Sequence, residues 1–132
     1  MENAGLIAGL KKEITTTVTD DMLASHFQNG FLDVFATPAM ITLMEKAALL
    51  CAQEHLEDGY TTVGSKVEIS HIAPSPKGME VRAVAELIDI QDRKLIFRVE
   101  AYDRFEKIGE GIHERFVVNA ERFLQKTYQK AR

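Results

Sequence analysis

The sequence predicts an α+β domain in which a curved antiparallel sheet of about five strands wraps around one long central helix. Three observations carry that prediction. Phe35 to Leu56, FATPAMITLMEKAALLCAQEHL, repeats its apolar residues with a helical period around nearly its whole circumference. One β-branched run precedes it, and the apolar segments after it mostly alternate with a period of two. A single sheet buries such a helix by curling around it, which leaves strand edges to cover. A second copy of the chain is therefore the expected partner, in a homodimer or a tetramer. The 132 residues fit one domain spanning 1–132, with 1–10 and 125–132 read as loosely ordered ends.

Taken in order, KKEITTTVTDD gathers Ile14, Thr15, Thr16, Thr17, Val18 and Thr19 into a strand signal. Asp20 and Asp21 end it and cap a short helical turn over Met22, Leu23 and Phe27, which Asn29-Gly30 breaks. Phe31, Leu32, Val34 and Phe35 then form an apolar lead-in that either plugs the core or closes as a lid over the helix start. Thr37-Pro38 is a helix-start signature: Thr at the N-cap accepts from free amides, and Pro at the first helical position loses no hydrogen bond. Asp58-Gly59 supplies the stop. In TTVGSKVEISHI, the row Val63, Ser65, Val67, Ile69 and His71 is the more apolar and is expected to face inward, until Pro74 and Pro76 end the strand.

Lys77-Gly78 turns the chain into MEVRAVAELIDI, with Met79, Val81, Ala83, Ala85 and Leu87 on one face. Gln91-Asp92-Arg93 turns it again into LIFRVEAYD, with Leu95, Phe97, Val99 and Ala101 inward, so the two runs read as a hairpin. A turn at Phe105 to Lys107 leads into IGEGIHERFVVNAERF, whose phase is ambiguous. Ile108, Ile112, Phe116 and Val118 favour one face; Gly109, Gly111, His113 and Arg115 line the other. Glycines at alternate positions point to close approach of another backbone or a ligand.

Two polar residues interrupt these apolar rows. Glu45 stands at the centre of the helix sector formed by Ile41, Ala48, Leu49, Ala52 and Leu56. A carboxylate there either reaches solvent beside Lys46 or is held at a functional site, because a charge is costly to bury alone. His71 closes the inward row of its strand, either as a hydrogen-bonded core residue or as a partner for that carboxylate. Thr37, Ile41 and Glu45 follow at four-residue steps, which sets the hydroxyl and the carboxylate along one side of the helix, over a shared cavity in the functional reading. His113, flanked by Glu110 and Glu114, reads as structural, and Cys51 as a packing thiol.

Composition narrows the function classes. A formal charge of −4 gives no support for general nucleic-acid or anionic-membrane binding. The single cysteine excludes an internal disulfide framework. MENAGLIAGLKKE lacks the basic start and long apolar run of a signal peptide, and no segment reaches the length of a membrane span. A cytoplasmic location is the expectation.

The segments VFATPAMITLMEKA (Val34 to Ala47), VEISHIAPSPKG (Val67 to Gly78) and GEGIHERFVV (Gly109 to Val118) together resemble the hotdog-fold thioesterases, and within them the fluoroacetyl-CoA thioesterase-like branch. The resemblance implies a hotdog fold and hydrolysis of a short or small acyl-CoA thioester. It also implies a catalytic set of Thr37, Glu45 and His71, with His71 paired to Glu45, and a polarising backbone amide at Gly64. Phe31, Phe35 and Arg115 are further residues expected to touch substrate. No metal or separate cofactor is expected, coenzyme A being part of the substrate. Here Lys46 follows the Glu where the branch's namesake carries a bulky aromatic, and the segment before the helix is short, with Phe31 as its main lid candidate. Two rival readings are a non-catalytic acyl-CoA-binding hotdog module and a hotdog enoyl-CoA hydratase or dehydratase.

Overall fold

The computed structural model describes residues 5–131. Five strands form one sheet: β1 (Lys11–Thr17), β2 (Tyr60–His71), β3 (Glu80–Gln91), β4 (Lys94–Tyr102) and β5 (Lys107–Asn119). Their order is β1-β3-β4-β5-β2, and every neighbouring pair is antiparallel. A 3-10 turn (Asp20–Met22) and the short α1 (Ala24–Phe27) precede the 17-residue α2 (Thr37–Gln53). The sheet curls around α2, which touches all five strands.

The core lies between α2 and the concave face of the sheet. Met40, Leu43, Met44, Ala47, Ala48, Cys51 and Ala52 supply the helix side. Val81, Ala83, Ala85 and Leu87 of β3 and Leu95, Phe97, Val99 and Ala101 of β4 supply the sheet side, as their alternation predicts. Small residues on β3 let the helix approach closely, while Phe97 and the methionines fill the remaining volume. Burial pushes the Cys51 thiol above its ordinary pKa, which suits a packing role.

Several local expectations are corrected. Helix α2 starts with Ala36 at the N-cap and Thr37 already inside, and no side chain caps it. It ends at Gln53 with Glu54 as C-cap, so Gly59, at φ +88°, serves the later turn into β2 instead of the helix stop. Leu6 packs into the core, and Ala120–Tyr128 form a third helix, α3, N-capped by Asn119, which accepts from the Arg122 amide. Residues 1–4 of the expected loose N-terminus lie outside the described residues.

Strand β2 departs most from simple alternation. A bulge between Gly64 and Lys66 leaves Ser65 out of register with β5, and one extra residue reverses the face on which every later side chain points. Thr62 is therefore buried before the bulge, whereas Ile69 and His71 turn inward after it. Val63 and Ser65 do not continue the inward row. On β5 the buried row is Gly109, His113, Arg115 and Val117, with Gly111 half-buried, so the polar and glycine-bearing face looks inward and Phe116 looks out.

Candidate active site

Two polar clusters face the concave side of the sheet. The first sits at the start of α2. Thr37 Oγ1 lies 2.8 Å from His71 Nδ1. Because Thr37 is not the cap, its hydroxyl is free of that duty and turns to the imidazole. Phe35, fully buried beneath, meets the His71 ring edge-on at 6.3 Å. Burial pushes the His71 pKa below the ordinary histidine value, only partly offset by the Ala73 backbone, so the neutral ring is favoured. His71 Nε2 is buried and has no hydrogen-bond partner, a condition that an ordinary core histidine avoids. A cavity of about 370 Å³ opens beside the pair, walled by Asn29, Val34, Ile72 and Pro74.

The second cluster lies two helical turns further along α2. Glu45, half-buried on the flank of the helix, comes against Gly64, His113 and Arg115. A Cβ built on Gly64 would stand 3.1 Å from Glu45 Oε2, 3.3 Å from His113 Cε1 and 3.4 Å from Arg115 Nη1, so all three converge over the glycine. Arg115 donates from Nε to Thr62 Oγ1 at 2.7 Å, from Nη2 to the Thr62 carbonyl at 3.0 Å and from Nη1 to His113 Nε2 at 3.1 Å. The Glu45 charge favours the cationic forms of both His113 and Arg115, while burial works against them.

The expected pairing of Glu45 with His71 does not form within one copy. His71 spends Nδ1 on Thr37, and its Nε2 is unpartnered. Distance is the reason: eight helical residues separate Thr37 from Glu45 by about 12 Å along the axis. Seven strand residues separate Gly64 from His71 by about 23 Å. Of the expected substrate contacts, Gly64 and Arg115 join the Glu45 cluster and Phe35 underlies His71. Phe31 stands fully exposed, away from the cavity wall. The lead-in thus plugs the core through Phe35 alone. Thr62 and His113 were not foreseen as site residues. The signal available for them was the small and polar row Gly109, Gly111, His113, Arg115, which could be phased inward only with knowledge of the bulge opposite. Among the described residues there is no cluster of metal-ligating side chains.

A five-stranded antiparallel sheet curled around one long helix is the hotdog architecture of the thioesterase class. The family model for fluoroacetyl-CoA-specific thioesterases matches residues 18–121. The fluoroacetyl-CoA thioesterase of Streptantibioticus cattleyicolor is 40% identical over 100 residues, covering 76% of this chain and 72% of that protein. A crystal structure of the fluoroacetyl-CoA thioesterase FlK superposes with a TM-score of 0.90 at 33% identity, covering 96% of this chain and 98% of that one. A Thermus thermophilus protein described as a thioesterase superfamily member gives a TM-score of 0.88 at 28% identity, covering 97% and 95%. The chain belongs to the fluoroacetyl-CoA-specific thioesterase family, and it is a thioester hydrolase.

Proposed function

We propose that this enzyme hydrolyses a short acyl-CoA thioester at a site that two copies of the chain build together. The observation that carries the reading is the separation of the two polar clusters, each incomplete: an imidazole with a buried unpartnered Nε2, and a carboxylate two helical turns away over a glycine. Strand β2 is a sheet edge 12 residues long, and its run from Gly64 to Glu68 is exposed. Such an edge is a template for pairing with a second chain. In an antiparallel pair of β2 strands with the two-fold at Val67, Lys66 lies opposite Glu68 of the partner subunit, twice. Allowing for the bulge, that register sets His71 of the partner subunit against Thr62, diagonal to Gly64. Diagonal neighbours lie about 7–8 Å apart, within reach of long side chains.

In that arrangement Glu45 of one copy works with Thr37 and His71 of the other. Glu45 takes a proton from water as the water oxygen adds to the thioester carbonyl carbon, or it attacks that carbon itself to give an anhydride that water opens. In the first route the C–S bond breaks as the tetrahedral adduct collapses, and the proton taken from water passes by way of His71 to the departing sulfur. In the second the C–S bond breaks as the anhydride forms, and the sulfur leaves as a thiolate. The water that opens the anhydride then gives up the proton that His71 passes to that sulfur. The Gly64 amide would stabilise the developing oxyanion, a contribution of about 3–4 kcal/mol for a well-placed donor. Thr37 holds the imidazole in orientation.

Free-thiol release from a panel running from acetyl-CoA and fluoroacetyl-CoA to longer and aromatic esters tests the substrate class. A protein that binds the panel without releasing thiol is a binding module, and one that converts an enoyl ester without cleaving it is a hydratase. Subunit complementation tests the shared site. Glu45→Gln and His71→Ala are each expected to be inactive as homodimers. Mixing them with subunit exchange should restore about a quarter of wild-type turnover, since half the dimers are mixed and each holds one intact site. Mixed dimers that form yet stay inactive would overturn the composite site.

A further inference from the structure

His113 is 1% exposed and Arg115 7% exposed, and neither was required by the thioesterase reading above. Both ring nitrogens of His113 are engaged. Nδ1 lies 2.8 Å from the Lys66 carbonyl and Nε2 lies 3.1 Å from Arg115 Nη1. A carbonyl only accepts and a guanidinium only donates, so Nδ1 carries the proton and Nε2 is the acceptor. The ring is the neutral Nδ1–H tautomer. Burial favours the neutral form in the same direction, the Lys66 carbonyl opposing and the neighbouring Arg115 charge reinforcing it.

The β2 bulge explains how this bond is possible. Lys66 is the first residue after the bulge, and its carbonyl reaches the imidazole of the facing strand. Arg115 is in turn held by neutral acceptors only, Thr62 at two donors and His113 at a third. A guanidinium beside a carboxylate ordinarily closes a two-pronged ion pair with it. Here Glu45 and Arg115 close no ion pair: three of the five N–H donors are spent on Thr62 and His113, and those bonds fix the plane of the guanidinium, while Arg115 Nη1 and Glu45 Oε2 converge on the same space above Gly64. The charged groups acting on His113 are Arg115 and Glu114 from its own strand and Glu45 from α2.

We infer that His113 is a positioning residue for Glu45: as a neutral acceptor it holds Arg115 Nη1, so that the cation steadies the carboxylate through space without locking it in an ion pair. A carboxylate clamped by arginine is a poor base and a poor nucleophile, because its lone pairs are taken. One that feels the same charge without the clamp keeps its lone pairs available to react. This inference rests on Glu45 being the reacting carboxylate.

The test is a double-mutant cycle read by kcat, KM and the pH–rate profile. His113→Leu removes the acceptor, and Arg115 is then free to pair with Glu45. The expected result is a fall in kcat of about tenfold or more with KM changed by less than about twofold, and an acidic limb displaced to lower pH. His113→Gln, whose amide can donate to Lys66 and accept from Arg115, is expected to restore both. In an Arg115→Met background the Leu substitution should change kcat by less than about twofold, because the group it acts through is gone.

A Leu variant with wild-type kcat and pH profile, or the same loss in the Arg115→Met background, overturns the inference. Should the Leu variant fail to fold, the histidine 15N spectrum of the wild-type protein decides. A neutral Nδ1–H His113 across the active pH range supports the spacer role, and an imidazolium there sinks it. Turnover unchanged in Glu45→Gln would defeat the underlying catalytic reading instead, so the two failures are separable.

Discussion

Thr37 Oγ1 and His71 Nδ1 meet at 2.8 Å beside the first turn of α2, where Ala36 holds the N-cap position and leaves the Thr37 hydroxyl free of the backbone. The helix gives up a side-chain cap, a contact usually worth about 1 kcal/mol. What it gains is an imidazole fixed in one orientation at the mouth of the cavity.

Because the hydroxyl caps nothing, Thr37→Ala is expected to leave the thermal midpoint within about 2 °C of wild type while turnover falls by about tenfold. Thr37→Ser should recover most of the activity, since it keeps the oxygen and loses only a methyl group. Thermal scans beside thiol-release kinetics check this. A large stability loss with unchanged turnover would mean that the hydroxyl is structural after all.

The glycines of β5 make a second, purely structural test. A Cβ on Gly111 would collide with the Glu68 carbonyl oxygen of β2, and backbone in a paired strand cannot step aside. A Cβ on Gly109 would lie 2.5 Å from Met40 Sδ, at the flexible end of a side chain that can rotate away. Gly111→Ala should therefore cost several times more stability than Gly109→Ala, roughly 3 kcal/mol or more against about 1. Urea denaturation of the two variants gives the comparison, and equal losses would contradict it.

The same glycines show where the sequence is readable and where it is not. The rows Val81 to Leu87 and Leu95 to Ala101 alternate without interruption, so their inward faces and their hairpin follow from side-chain period alone. The single-helix core is legible for the same reason. Strands β2 and β5 resist because the bulge at Ser65 reverses the phase midway, and nothing in SKVEIS marks it. That one residue decides that Thr62 joins Arg115 and that the Lys66 carbonyl meets His113. Thr37, Glu45 and His71 stand out as chemically odd, but their grouping into two separate clusters depends on strand order, which local pattern does not encode.

The half-buried His71 and the buried His113 are both held below the ordinary histidine range, in each case first by burial. The unfolded chain binds protons near pH 6.5 that the folded chain refuses. Stability from this source is complete above the unfolded value and is lost as pH falls through it toward the lower folded values. The urea midpoint is expected to decline between about pH 7 and pH 5. That window lies above the range of the depressed carboxylates Glu54 and Glu100, which separates the two effects. A midpoint constant across the window would show that the rings take up protons freely in the fold.

The edge of β2 carries the last prediction. Val67 is 41% exposed in the single chain, and Lys66 lies 3.5 Å from Glu68 on the same edge. In the proposed β2–β2 pairing Val67 lies on the two-fold and faces its own copy, so one substitution there acts twice. Val67→Asp would set two carboxylates directly opposite each other, a like-charge contact that destabilises cross-strand pairing. Analytical ultracentrifugation is expected to show dissociation to monomers, with turnover lost or strongly dependent on protein concentration. Lys66→Glu should weaken the dimer for a related reason, by facing Glu68 of the partner subunit with a like charge. Exchanging both charges, Lys66→Glu with Glu68→Lys, restores the complementary pairs and should restore dimer and activity together. The intrachain Lys66–Glu68 contact is exposed and contributes little to folding, so the variants report on association. If Val67→Asp remains dimeric and fully active, β2 is not the seam, and Glu45 must find its imidazole by another route.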